Sequence, residues 1–138
     1  MIDKQEINDF DLLTTTGRVY NIYTREKDYV LMTFWATWCY YCVEELPMIQ
    51  RLYDIYKNKI DFILVNCGED KNTVDAFLKK KNFSFQVGYD IDNVYTSHYK
   101  ILGIPRTIIL GKENNVYADI TGLQSFEEID KIIKEIEN

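Results

Sequence analysis

Phe34-Trp35-Ala36-Thr37-Trp38-Cys39-Tyr40-Tyr41-Cys42 joins two kinds of sequence pattern. Upstream, Tyr29-Val30-Leu31-Met32-Thr33-Phe34-Trp35 is the β-branched and aromatic run of a buried strand. Beyond Cys42 the period changes. Leu46, Ile49, Leu52, Tyr53 and Tyr56 fall at helical spacing, with Pro47 expected to kink the helix because it has no N–H to donate. The C-x-x-C therefore sits where a strand passes into a helix. A helix N-terminus offers free N–H groups and a partial positive charge, which favour a thiolate over a thiol. Cys39 is expected to be partly exposed, with a lowered pKa, and nucleophilic. Cys42, one turn later, is expected to be more buried and able to resolve a mixed disulfide formed at Cys39. The competing readings are two ordinary core cysteines, or half a zinc site.

Strand and helix patterns alternate over the rest of the chain. Phe10–Leu13 and Val19–Tyr23 flank Gly17 and read as a hairpin. Asp61–Asn66 is a second buried strand, and Val74, Phe77 and Leu78 mark a helix ending near Lys81 and Asn82. Phe83–Tyr89 reads as a short strand or extended segment, and Val94–Tyr99 as a brief helix closed by Gly103. Arg106–Leu110 and Val116–Ile120 are strands joined by a polar turn. Ser125 with Glu128 forms a capping box before the apolar stripe Phe126, Ile129, Ile132, Ile133 and Ile136. This alternation predicts an α/β layered architecture, a single domain over residues 1–138.

Composition narrows the function. With 138 residues and 46% hydrophobic content, the chain can bury a core without disulfide staples. Its formal charge of −6 disfavours nucleic-acid binding and a polybasic membrane patch. No apolar run approaches the roughly 20 residues of a membrane span. Met1 to Glu6 is acidic and polar, unlike a signal peptide. A cytoplasmic location is expected if Met1 is the natural start, and an extracytoplasmic one if a leader has been removed. A four-ligand zinc site would consume Cys39, Cys42, Cys67 and His98 together, with nothing spare. Cys67 reads as a buried bystander, and His98 as a surface residue.

Thr33-Phe34-Trp35-Ala36-Thr37-Trp38-Cys39, with Glu45-Leu46-Pro47 beyond it, resembles the active-site segment of the thioredoxin superfamily, closest to its TlpA/ResA-like branch. The resemblance extends to the hairpin and to a strand-helix insert at Asn66–Tyr89. It implies a thioredoxin-like fold: a central mixed β-sheet flanked by helices. Gly103-Ile104-Pro105-Arg106-Thr107 matches the family segment whose X–Pro bond is cis and faces the cysteines. A cis bond at Pro105 turns the Ile104 backbone outward, free to pair with an extended substrate segment. The branch implies a reductant of partner proteins, for instance apocytochrome c thiols outside the cytoplasmic membrane.

Departures from the pattern carry information. Thioredoxin itself has a buried Asp where Thr33 stands, and Glu45, which matches a Glu of ResA-like proteins, is the best substitute base; a solvated glutamate is the alternative. Tyr40 and Tyr41 place no positive charge beside Cys39 and, with Trp38, offer an apolar docking surface. Arg106, where Thr is commoner, could supply charge to a Cys39 thiolate or to an acidic partner, or have no role.

The expected function is thiol–disulfide exchange with protein substrates through Cys39-Tyr40-Tyr41-Cys42, most simply as a reductant. The cofactor is the redox-active Cys39–Cys42 disulfide alone, with no metal. The partners are protein thiol or disulfide substrates and an upstream electron donor, and a monomer is expected. A thiol peroxidase is the alternative on the same scaffold. Those enzymes carry Pro and Thr seven and three residues before the reactive Cys, where this chain has Met32 and Ala36. A further alternative is a module that only binds a metal or a partner.

Overall fold

The run Val30–Trp35 forms β3, and all six residues are buried. Their period of two sends Val30, Met32 and Phe34 to one face of the sheet and Leu31 and Trp35 to the other. Each large apolar side chain taken out of water there contributes about 1.5–3 kcal/mol. A computed structural model describes residues 2–137. It orders the five-stranded sheet as β5 (Val87–Asp90), β4 (Asp61–Cys67), β3, β6 (Arg106–Leu110) and β7 (Val116–Thr121). β3, β4 and β5 run parallel, whereas β6 is antiparallel to both β3 and β7. The sheet is therefore mixed, and β3 lies at its centre.

Helices α2 (Tyr40–Tyr56), α3 (Lys71–Lys79) and α5 (Phe126–Glu137) cover the Leu31–Trp35 face. The opposite face is covered by α4 (Val94–His98) and by the N-terminal segment through Phe10, Leu12 and Ile22. The hairpin strands β1 (Leu12–Leu13) and β2 (Val19–Tyr20) are short and antiparallel. The hairpin docks on β5: Thr15 donates its N–H to the Val87 carbonyl at 2.9 Å. Glycine is required at position 88, because an added Cβ would lie 2.2 Å from Leu12 Cδ2. No helix among the described residues is long and apolar enough to cross a membrane.

One element goes beyond the sequence reading, and two boundaries are redrawn. A short helix α1 (Lys4–Asn8) precedes the hairpin, capped by the Asp3 carboxylate on the Glu6 N–H. Only Val87–Asp90 of the segment 83–90 joins the sheet; Phe83 and Phe85 instead stack on each other at 4.9 Å. α4 ends at His98 without Gly103. Lys100, at φ 53°, takes the left-handed position, and the Ile101 N–H closes onto the Thr96 carbonyl. The capping box of α5 forms with both of its bonds, Glu128 N–H to Ser125 Oγ and Ser125 N–H to the Glu128 carboxylate.

Candidate active site

Strand β3 ends at Trp35 and α2 starts at Tyr40, so the connector Ala36–Cys39 carries the first cysteine to the helix N-terminus. Cys39 is the N-cap of α2. Its Sγ accepts the Cys42 N–H at 3.3 Å, the contact a capping oxygen makes in other helices. The two sulfurs are joined in a disulfide, with the Cα atoms 5.2 Å apart. Cys39 is 7% exposed and Cys42 1%. The order of exposure is the expected one, but Cys39 is more enclosed than anticipated. The Ile104 carbonyl lies 3.7 Å from Cys39 Sγ, where a reduced thiol can donate to it.

The Ile104–Pro105 peptide is cis, and the buried Pro105 leads straight into β6. The Pro105 carbonyl accepts the Gly122 N–H, tying this loop to the start of the β7–α5 connection. Trp38, Tyr40 and Tyr41 are 73%, 70% and 61% exposed, and the two tyrosine rings meet edge to face at 5.4 Å. Leu102 is fully open, two residues from Ile104. Large uncharged side chains thus project around the disulfide.

Glu45 lies on the buried side of α2, 1% exposed. Burial pushes its carboxyl up to about 7, against the opposing pull of the Gln124 backbone N–H. That N–H reaches Oε2 at 3.1 Å, while Oε1 is buried without a partner. A carboxyl with this affinity for a proton can both take and release one near neutral pH. Beneath the connector, Thr33 and Thr107 are buried and pair their hydroxyls at 3.2 Å across β3 and β6.

Arg106 does not supply charge to Cys39. It shares the sheet face of Ile108 and Leu110, opposite that of the Cys39 cluster. Its guanidinium instead forks onto Asp119 at 2.6 and 2.7 Å. The cysteines and His98 do not converge on a metal. Cys39 and Cys42 bond each other, and His98 pairs with the Tyr23 hydroxyl at 3.2 Å amid the rings of Phe10 and Tyr99. Among the described residues no group of three or more His, Cys, Asp or Glu could hold a metal ion. Cys67 is half-buried, and burial pushes its thiol up.

One polar residue at the site escaped the sequence reading. Glu69, in the loop from β4 to α3, accepts the Thr37 N–H at 2.7 Å, the Thr37 hydroxyl at 2.5 Å and the Asn66 amide at 2.8 Å. Gly68, at φ +71°, makes the turn that brings it back over the strand ends. The only trace in sequence is Asn66-Cys67-Gly68-Glu69, polar residues around a glycine immediately after an apolar strand.

A vicinal disulfide-forming pair capping a helix, set against a cis-proline loop on a mixed central sheet, defines a thiol–disulfide oxidoreductase of thioredoxin-like fold. The chain belongs to the Redoxin family, whose model matches residues 3–133. It is 30% identical over 129 residues to the thiol-disulfide oxidoreductase ResA of Geobacillus kaustophilus, covering 93% of this chain and 74% of that one. Among solved structures, StoA from Bacillus subtilis superposes with a TM-score of 0.81 at 23% identity, covering 90% of this chain and 95% of that chain. The exposed lipoprotein thioredoxin Etrx1 of Streptococcus pneumoniae gives 0.83 at 19% identity, covering 91% and 98%. These likenesses place the chain in the TlpA/ResA-like branch of the thioredoxin superfamily.

Proposed function

We propose that this chain reduces disulfides in partner proteins, with Cys39 as nucleophile and Cys42 as resolving thiol. The Cys39 thiolate attacks one sulfur of the partner disulfide; that S–S bond breaks, and the other partner sulfur leaves as a thiolate. Cys42, having given up its proton, then attacks Cys39 Sγ of the mixed disulfide and releases the second partner thiolate. Two electrons have passed to the partner, and Cys39 and Cys42 end as a disulfide. An upstream donor restores the dithiol, and no other cofactor takes part. Glu45, one helical turn beyond Cys42, receives the Cys42 proton.

The partner segment lies extended along Ile104 and Pro105, with Trp38, Tyr40 and Tyr41 as its apolar rim. An uncharged rim suits a range of polypeptide sequences better than a small ionic ligand. The whole chain acts as one domain and as a monomer. It works outside the cytoplasmic membrane, a reading favoured by the pneumococcal fold neighbour, an exposed lipoprotein. The observation that carries the functional reading is the Cys39–Cys42 disulfide at the N-terminus of α2 beside Ile104.

Insulin reduction driven by dithiothreitol tests it. Cys39→Ser is expected to fall to the uncatalysed rate with its fold intact, and a parental rate from that variant removes Cys39 as the nucleophile.

A further inference from the structure

Three hydrogen bonds converge on Glu69, and two of them come from Thr37, two residues before Cys39. Consecutive Cα atoms are 3.8 Å apart, so chain connectivity keeps Thr37 within about 8 Å of Cys39. The Glu69 carboxylate is thus fastened to the connector that presents the thiol. Its bonds from Thr37 and Asn66 fix it in place, with Asn66 itself buried in β4. The connector is further closed by the Cys39 N–H on the Ala36 carbonyl at 3.2 Å. A negative charge held here opposes the helix N-terminus, which by itself stabilises a Cys39 thiolate. Tyr40 and Tyr41 carry no charge to offset it, and Arg106 is engaged on the opposite face.

We propose that Glu69 is a positioning residue that also sets the redox poise of the Cys39–Cys42 pair. It holds the Thr37–Cys39 connector in place, and its charge keeps the Cys39 thiol less acidic than its place at the helix N-terminus alone dictates. A less stabilised thiolate makes the reduced form less stable relative to the disulfide, so the pair becomes a stronger reductant. The proposal rests on Cys39 being the reactive thiol, and it names what tunes that thiol toward reduction.

The test follows alkylation of Cys39 by iodoacetamide against pH in the reduced protein, read by peptide mass spectrometry so that Cys67 is resolved separately. The same variants are equilibrated in glutathione buffers to obtain the reduction potential. Glu69→Gln keeps one oxygen to accept the Thr37 N–H and removes the charge; Glu69→Ala removes both. Either is expected to lower the Cys39 pKa by at least about 0.5, roughly threefold in thiolate at a pH below that pKa. Each is also expected to shift the redox equilibrium toward the dithiol, approaching about the same threefold for that pKa change at a pH above the Cys39 pKa. Glu69→Asp, which keeps the charge, is expected to retain more of the parental pKa than Glu69→Gln.

A Cys39 pKa and redox equilibrium unmoved in a folded Glu69→Gln or Glu69→Ala protein, with only the melting temperature changed, would overturn the proposal. Glu69→Asp matching Glu69→Gln would also overturn it. Failure of the parent reading looks different: Cys39 of the unsubstituted protein would then show no pH-dependent alkylation in the accessible range.

Discussion

Glu45 illustrates how one residue can carry both a structural penalty and a chemical use. Burial raises its carboxyl from 4.5 to about 7, so the native state holds a proton that the unfolded chain has already released. Stability therefore falls as pH rises through that window, by about 3 kcal/mol in all. Glu45→Gln cannot titrate, so denaturant unfolding of the oxidised variant is expected to show a flatter dependence between pH 4.5 and 7. An identical slope in parent and variant would mean that Glu45 does not hold its proton this way. Its side chain is buried, not solvated as the alternative reading of a helix glutamate had it. The residue that makes burial tolerable, Gln124, lies 79 positions away and contributes a backbone N–H. Contacts of that kind have no periodicity, and sequence patterns do not display them. The same holds for Thr37 and Glu69, 32 positions apart.

Elements were legible where a pattern repeats and obscure where one contact decides. β3 and α2 each show an unbroken apolar pattern, and the junction between them, with its C-x-x-C, could be read directly from the residues. Helix α1 is one turn long with no buried residue, so only its Asp3–Glu6 cap announces it. Phe83–Gln86 has strand-like residues, but ring stacking and a late start of β5 keep it out of the sheet. The side of Arg106 followed from the phase of β6, which its sequence position alone did not reveal. The seat of the hairpin on β5 depends on Gly88. Gly88→Ala forces its Cβ against Leu12 and is expected to cost about 1–3 kcal/mol in denaturant unfolding. Adding Leu12→Ala removes the clash, so the double variant should lose less than the sum of the two. Additive losses would place the hairpin contact elsewhere.

At the scale of the molecule, the two faces of the sheet divide the work. One face, under α4 and the N-terminal segment, holds a sealed apolar cluster. The other places α2 so that its first turn, the Ile104–Pro105 loop and the Glu69 loop meet at the carboxyl end of β3. The chain carries a net charge of −6, but the exposed side chains flanking the cysteines are uncharged aromatics, so on the proposed function contact with partners relies on apolar area there rather than on long-range attraction. Of three cysteines, only Cys39 combines a helix N-terminus with an open rim. The most direct test is capture of the intermediate. Cys42→Ser protein is reduced, mixed with oxidised insulin, quenched with acid and mapped by mass spectrometry. The prediction is a stable mixed disulfide on Cys39. No adduct, or an adduct on Cys67 alone, would contradict it.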